Sequence, residues 1–404
     1  MTARKAILVG VGLALMSSAT SAQQQVAATG YEPSYRPGWT LTPSFGFSQT
    51  YDDNISLFAV RTAEEANNDV VSTYFPAADL HYSGKHTVVG FGYTGSFLAY
   101  RTFSVLNSWD QRGRIYARQQ ASERLKWSAA ANAAKVPTTD AVDLGGIPYS
   151  RNGVTVVDGH AGLDYRINNR NDFSASFGAQ SVRFDRPEIA GGFLQGGHAV
   201  DWNGGWRYHV SARLGVGGQY GLRRAVAIDS PDAFVMHSME AAADYALTPS
   251  WSMAVSAGIV LLQQNALTDG QTGPAWKLAV ERHRSGTTLV VSYLRSYVPS
   301  FAFGGTTKSE EAGFGMRTPL FHSRRWYTEL SATFRDDQPL TDILNQLPLR
   351  SLRTNSVIGW TPQVWMRVEG FYSRSQQSSL RFGGQVYRNR IGIQIVTSKP
   401  VRVD

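Results

Sequence analysis

Cysteine is absent from all 404 residues of the sequence. Its absence excludes disulfide bonds, thiolate metal sites and a cysteine nucleophile. It also suits a chain that crosses an oxidising compartment, because such a chain has no thiols to mispair. Charged residues are scarce, at 17%, and no stretch resembles a linker between separate cores. The composition therefore favours one uniform architecture over the two or three soluble domains that the length alone would allow.

A long hydrophobic run is missing as well. Beyond the N-terminus the longest apolar stretch, Met253 to Leu262, is about half of the roughly 20 residues that a helix needs to span a bilayer. We therefore expect no helical membrane anchor in the mature chain. That leaves two classes of architecture, a soluble exported protein or a closed membrane barrel.

The N-terminus resembles a secretory signal peptide. Arg4 and Lys5 precede a short apolar core, and small residues end the segment at Ala22. We predict a signal peptide over residues 1–22 that is cleaved near Ala22. The following residues, 23–38, are rich in polar residues and proline, which predicts a flexible periplasmic lead-in.

Apolar and polar residues alternate with a period of two along nearly all of the remaining chain. Segments of this kind number about 18 between Trp39 and Ser398, and the pattern is typical of strands with one apolar face. Short turn-forming connections alternate with long ones such as Val136 to Asn152. We predict an all-β fold: a transmembrane antiparallel up-and-down β-barrel over residues 39–398, with short periplasmic turns and long extracellular loops. Residues 399–404 are expected to form a C-terminal tail.

Aromatic residues concentrate on the apolar faces near the ends of these strands. The set beside the short connections comprises Tyr82, Trp127, Tyr165, Phe173, Tyr208, Tyr245, Trp251, Trp326 and Trp360, and the set beside the long connections includes Tyr51, Trp202, Trp276 and Tyr297. Amphipathic rings favour the headgroup level of a membrane. The distribution predicts two outward-facing aromatic girdles around a lipid-exposed band, whereas a soluble sandwich would scatter aromatic residues through its core.

The polar faces carry an excess of arginine, and the whole chain has a formal net charge of +8. We predict that the lumen and substrate path are lined by Arg112, Arg114, Arg118, Arg213, Arg223, Arg367, Arg388 and Arg390. These side chains could form inward salt bridges with lumen acids, or they could favour anions or an acidic polymer through the focused field of the lumen. The basic residues follow strand geometry and do not cluster on a helix or arm, so nucleic acid is not an expected partner.

Motifs for catalysis and metal binding are weak. His160 lies between Asp158 and Asp164 on one strand face, where it could transfer protons or simply form a hydrogen bond to a carboxylate. The Asp52-Asp53-Asn54 cluster offers the hard oxygen ligands that Ca²⁺ prefers, but it could equally be the solvated start of a loop. We expect no enzyme activity, no cofactor and no metal ion.

The first strand and its end carry a family resemblance. A proline-bearing strand followed by Tyr51-Asp52-Asp53-Asn54-Ile55 resembles the N-terminal signature of outer-membrane, porin-like β-barrel proteins associated with exopolysaccharide secretion and exosortase loci. The C-terminal strand differs from the general barrel pattern because it lacks a terminal aromatic residue.

The resemblance implies an outer-membrane location and a role in moving a cell-surface polysaccharide across the outer membrane. The arginine-rich lumen predicts that this polymer is acidic. Expected partners are outer-membrane lipid and lipopolysaccharide, the barrel assembly machinery, the polysaccharide and periplasmic export components. The alternative is a general diffusion porin for small anionic solutes.

Overall fold

The computed structural model describes residues 37–57, 67–138, 153–185, 194–228, 233–263, 270–301, 306–321, 323, 325–340, 348–379 and 384–403. The predicted signal peptide and most of the predicted lead-in lie outside the described residues, as do the tips of the long connections. Among the described residues no helix has both the length and the apolar character needed to cross a membrane.

The described chain is almost entirely β-structure. The strands are β1 Gly38–Asp52, β2 Asp69–Ser83, β3 Thr87–Tyr100, β4 Ser108–Gln120, β5 Leu125–Pro137, β6 Gly153–Arg166, β7 Asn171–Phe184, β8 Gly197–His209, β9 Leu214–Ala227, β10 Ala233–Thr248, β11 Trp251–Leu262, β12 Gln271–Arg284, β13 Thr287–Pro299, β14 Thr306–Pro319, β15 Trp326–Pro339, β16 Leu349–Gln363, β17 Met366–Ser379, β18 Gln385–Ser398 and β19 Val401–Val403. A single 3₁₀ turn, Ser104–Leu106, precedes β4.

The strands close into one antiparallel barrel. Each strand from β1 to β18 pairs with its neighbours in the sequence, and β1 also pairs with β18. Strand β19 continues β18 along β1 in an unchanged register, since Ser398 lies opposite Ser44 and Val401 opposite Leu41. The break between them contains Pro400, whose nitrogen has no hydrogen to donate to the ladder. The predicted all-β barrel of about 18 strands is confirmed.

The outer surface of the barrel is apolar. Exposed large side chains on outward positions include Phe45 at 51%, Phe91 at 55% and Ile115 at 52% exposed. A closed ladder leaves no unpaired backbone in hydrocarbon, so such a surface suits lipid. A closed antiparallel barrel with an apolar outer face is the architecture of outer-membrane proteins. Strands β1 to β18, of 12 to 16 residues, exceed the about 9–11 needed to span the hydrocarbon, so their ends extend beyond it.

Short connections on one rim form tight turns. Gly84 donates its N–H to the carbonyl of Thr87 at 2.7 Å, and Ile167 donates to Asn171 at 2.9 Å. The turn between β12 and β13 uses Ser285 and Gly286, both with positive φ, of 50° and 82°. Glycine adopts this conformation without steric cost. These turns lie on the rim that we assign to the periplasm.

The aromatic girdle beside the short turns is confirmed by the pairing register, which places its members on the outer face. Trp39 contacts Tyr82 with ring centroids 5.4 Å apart, and Trp326 stacks on Trp360 at 5.6 Å. Tyr297 was wrongly predicted to belong to the second girdle. Its hydroxyl lies where a β-carbon on the inward Gly273 would be, at 1.6 Å, because β13 separates from β12 beyond Arg295.

Candidate functional site

Strand β4 carries a line of arginines along the lumen. Arg112, Arg114 and Arg118 share the face opposite to the exposed Trp109 and Ile115. Their direct neighbours on β3 and β5 are mostly small: Arg112 lies between Thr94 and Ala134, Arg114 between Gly92 and Asn132, and Arg118 between Val88 and Ser128. Small neighbours leave room for the long guanidinium side chains to extend into the lumen.

The members of this arginine line differ in their partners. Arg114 donates from Nη2 to Oδ2 of Asp79 at 2.7 Å. Arg118 is exposed and has neither an ion pair nor a hydrogen bond within the part of the chain that the structure describes. Arg118 is therefore the member of the line whose positive charge is most available to a solute.

The other predicted lumen arginines are mostly neutralised by carboxylates. Arg223 lies 3.6 Å from Asp201, Arg367 lies 3.0 Å from Glu369, and Arg388 lies 2.5 Å from Asp52. Arg390 donates to the hydroxyl of Ser373 at 3.3 Å. Arg223, Arg367 and Arg388, like Arg114, therefore form inward salt bridges with lumen acids, which is the first of the two interpretations given for the lumen arginines.

Arg213 does not lie on a strand face. It belongs to the tight turn between β8 and β9, where Ser211 donates its N–H to Leu214 at 3.2 Å. The carbonyl of Arg213 accepts the N–H of Ala246 at 2.8 Å, which fixes the turn against β10. The structure thus places Arg213 at the short-turn rim, apart from the seven arginines on strands.

Glu240 is the centre of a polar cluster that sequence reasoning did not assemble. This carboxylate is 8% exposed on the inner face of β10. It accepts hydrogen bonds from Gln219 at 2.7 Å and Ser256 at 2.6 Å, and Lys277 lies 3.1 Å away. Alternation indicates that Glu240 points inward, but its partners on β9, β11 and β12 follow only from the pairing register.

A second cluster lies on the inner wall from β14 to β18. Tyr327 donates its hydroxyl to Glu369, whose other oxygen accepts Gln394 at 2.8 Å. The guanidinium of Arg317 lies 4.6 Å from the centre of the Tyr327 ring. Glu369 and Gln394 are only 6% and 2% exposed. This wall is packed, whereas residues such as His160 on the β6 side are exposed.

The extracellular mouth is narrowed by the hairpin of β13 and β14. Pairing of β13 with β12 stops at Arg295, but pairing with β14 continues to Pro299 opposite Thr306. The carbonyl of Phe301, just beyond β13, accepts the N–H of Gly196 at 2.8 Å. Strands β9, β10, β11 and β12 separate β13 from β8 in the wall. The hairpin therefore leaves the wall and crosses the inside of the mouth.

Side chains of the mouth fix this hairpin. Phe301, 4% exposed, packs on buried, inward-facing residues of the opposite wall: Val136, Val154, Val182, Ala199 and Ala225. Leu340, at the end of β15, donates its N–H to Thr306 at 3.2 Å. Tyr297 and Leu340 also cover a separate apolar cluster formed by Met236, Val260, Leu262 and Ala275. The β13–β14 hairpin and Leu340 thus cover the same side of the mouth.

The acidic cluster at the end of β1 joins the first strand to the last. Asp52 is 1% exposed and pairs with Arg388 of β18. Asp53 accepts both the backbone N–H and the side-chain amide of Asn389, each at 2.7 Å. Asn54 donates to the carbonyl of Tyr387 at 2.6 Å. The carboxylates considered above as Ca²⁺ ligands are therefore engaged in joining β1 to β18, and the amide oxygen of Asn54 accepts a hydrogen bond from Asn67.

Other chemical groups of the lumen do not form a catalytic or metal-binding arrangement in the described residues. No set of three or more histidines and carboxylates there could hold a metal ion. His160 makes no hydrogen bond to Asp158 or Asp164 in this part of the chain, and Asp158 instead accepts the amide of Asn132 at 2.8 Å. His160 is therefore an exposed lumen side chain, and the hydrogen bond to a carboxylate that was one of its two interpretations is not formed among the described residues.

The sequence matches no protein-family model and no curated protein. Among solved structures, it is similar to Acinetobacter baumannii OccAB4, with 9% identity, a TM-score of 0.46, and 90% of this chain and 98% of that one covered. Pseudomonas aeruginosa OpdK, solved with vanillate, gives 10% identity, a TM-score of 0.45 and coverage of 89% and 99%. Pseudomonas aeruginosa OprD gives 11% identity, a TM-score of 0.41 and coverage of 90% and 96%.

These matches concern chain architecture, and the barrel assignment itself depends on the strand pairing of this chain. None of them links the chain to exopolysaccharide loci, so that resemblance stays a prediction. The lumen described above is polar, carries charges of both signs and is narrowed at its outer end.

Proposed function

We propose that the barrel is a passive channel for small anionic solutes in the outer membrane. The observation that carries this proposal is the arginine line of β4, in which Arg118 has no carboxylate partner in the described chain. Guanidinium groups suit carboxylates and phosphates. Between low-dielectric walls, an unneutralised charge raises the local concentration of anions. We expect a modest anion preference, because Arg114, Arg223, Arg367 and Arg388 are already paired.

The narrowed mouth favours small solutes over a polymer. The contact between Phe301 and Gly196 holds the β13–β14 hairpin inside the opening. No contact in the described residues favours an acidic polysaccharide over a small anion. Export of an acidic polysaccharide therefore ranks second. It would be supported if deletion of the gene trapped polymer in the periplasm while small-solute uptake stayed normal.

Planar-bilayer recording tests the proposal. The purified barrel should conduct ions. In a KCl gradient its reversal potential should show that chloride is more permeable than potassium. Arg118→Gln should shift that potential towards a lower permeability to chloride relative to potassium. Arg224→Gln, the same charge change on the outer surface, should not shift it. A barrel that does not conduct, or whose selectivity is the same with and without Arg118, would refute the proposal.

A further inference from the structure

The outer surface of β7 to β10 carries a diagonal line of basic side chains near the extracellular rim. We name Arg183, His198, Arg224 and His237 the basic diagonal. His198 of β8 lies directly opposite Ser181 of β7 and Val226 of β9. Arg183 is two residues from Ser181 along β7, and Arg224 is two residues from Val226 along β9. His237 stands in the same diagonal relation to Arg224. Diagonal neighbours of this kind lie about 7–8 Å apart, so one extended ligand could contact several of them.

The position of the basic diagonal corresponds to the headgroup level of the outer leaflet. Arg183 is the next-to-last residue of β7, and His198 is the second residue of β8. Trp202 and Tyr220 lie on the same outer face nearer the middle of the barrel, with ring centroids 5.8 Å apart. Aromatic rings of this kind mark the membrane interface. Cations just outside them face the polar headgroups and not the hydrocarbon.

The arginines of the basic diagonal lack protein partners. Arg183 and Arg224 are exposed, and neither has an ion pair or hydrogen bond within the ranges that the structure describes. His237, by contrast, is hydrogen-bonded through both ring nitrogens, Nδ1 to the hydroxyl of Tyr220 at 2.7 Å and Nε2 to the side-chain amide of Gln263 at 2.8 Å. The diagonal thus holds two unneutralised guanidinium groups with a histidine between them.

The outer rim from β13 to β16 provides an internal contrast. Arg295 and Lys308 each lie 3.6 Å from Glu310, and Arg350 lies 3.2 Å from Asp336. Arg295 and Arg350 also lie on outward strand positions near the extracellular rim, but each has a carboxylate neighbour. Of these two parts of the described rim, only the one from β7 to β10 has outward arginines without a carboxylate neighbour, so an external anion can bind there.

The wall beneath the basic diagonal is firmly packed from inside. Val182, Ala199 and Ala225, which alternate with the basic residues along β7, β8 and β9, are buried under Phe301. A wall held in this way keeps the outward side chains at fixed spacing, which reduces the ordering cost of binding.

We propose that the basic diagonal binds the phosphate groups of anionic lipid headgroups in the outer leaflet. Guanidinium forks bind phosphate oxygens through charge-assisted hydrogen bonds, and the diagonal spacing suits a headgroup with more than one phosphate. The lipid partner is chosen over a free anion because the site faces outward at the membrane interface, away from the lumen. The site is independent of the solute that the channel conducts.

The test uses the full barrel in detergent with added lipopolysaccharide. The double variant Arg183→Gln/Arg224→Gln is compared with wild type and with Arg295→Gln/Arg350→Gln, which removes the same charge from the paired rim. Bound lipid is measured as phosphorus per barrel after gel filtration, and the melting temperature is recorded with and without lipid. A third arm replaces lipopolysaccharide with inorganic phosphate.

Wild type and the paired-rim variant should retain lipopolysaccharide and melt at higher temperature with it. The Arg183→Gln/Arg224→Gln variant should retain about tenfold less lipopolysaccharide phosphorus per barrel and show a smaller rise in melting temperature, because charge-assisted contacts to phosphate are removed. Equal retention by all three proteins overturns the proposal. An equal rise in melting temperature with inorganic phosphate alone overturns the lipid assignment. If the double variant does not fold, the single variants give the same comparison.

Discussion

The ring of Phe75 occupies the space that a side chain on Gly46 would need. The two residues face each other directly across β1 and β2, and a β-carbon on Gly46 would lie 1.7 Å from the Cε2 atom of Phe75. Both residues point into the barrel, and Phe75 is 2% exposed. An aromatic ring that covers a glycine on the neighbouring strand fixes their register. The glycine in the first strand is thus required by its partner.

Replacing Gly46→Ala should therefore destabilise the barrel by about 1–3 kcal/mol, because an overpacked site forces its neighbours out of place. Denaturant unfolding in detergent measures the change. Gly315→Ala is the matched control: Gly315 also points inward, but an added β-carbon there meets nothing within 4 Å. Equal stability of the two variants would show that Phe75 can move aside freely.

Breaking the ion pair that joins β1 to β18 should be more costly. Asp52→Asn leaves Arg388, whose side chain is 11% exposed, without its carboxylate, and removal of one partner of a buried pair costs about 3–5 kcal/mol. Asp185→Asn, which removes a carboxylate 3.6 Å from the exposed Lys135, should cost no more than about 1 kcal/mol. Unfolding midpoints of both variants, measured in the same detergent, test this order.

The packing of Phe301 predicts a wider channel when that ring is removed. Phe301→Ala should free the β13–β14 hairpin from the opposite wall and raise single-channel conductance and the permeability to larger solutes. Phe321→Ala, at a short-turn position that is 81% exposed, should change neither. Unchanged conductance in the Phe301 variant would indicate that the hairpin is held in place without this ring.

Neutralising Glu240 should increase anion preference. Glu240→Gln removes the carboxylate 3.1 Å from Lys277, so the ammonium group of Lys277 becomes an uncompensated lumen charge. The reversal potential should move in the direction opposite to that of Arg118→Gln. If Glu240→Gln and Arg118→Gln move it in the same direction, the two residues do not act through lumen charge.

The two faces of the barrel wall should respond differently to a new charge. Leu278→Arg, near the centre of β12 on the lipid face, places a guanidinium in the hydrocarbon, where it costs about 2–4 kcal/mol near the midplane. Gln219→Arg points into the lumen towards Glu240 and should be tolerated. Folding into lipid vesicles, followed by the heat-dependent mobility of the folded barrel on gels, compares them. Similar folding yields would contradict the assignment of the faces.

Much of this fold could be predicted because a lipid-facing strand has a period of two. That period identifies the inward arginines Arg112, Arg114 and Arg118 from the sequence alone, since each stands between outward residues. Strand limits near the short turns were harder to place. Alternation predicts that Arg213 lines the lumen, whereas the turn begins before this residue and β9 begins after it.

The remaining features depend on contacts between distant parts of the chain. Alternation alone indicates that Tyr297 faces lipid, and the prediction is wrong because β13 leaves β12 and carries Tyr297 over Gly273. Likewise, the Asp52-Asp53-Asn54 cluster has no visible partner in the sequence. Its partners lie on the last strand, and only closure of the barrel brings them together.

The separation between Asp53 and Asn389 is 336 residues, the kind of long-range contact that raises contact order and slows folding. Every other ladder from β1 to β18 joins strands that follow each other in the chain. The carboxylates at the end of β1 are thus expected to act late in folding, when the two edges of an otherwise finished sheet meet. Their loss would leave the hairpins able to form and the final joining step slowed.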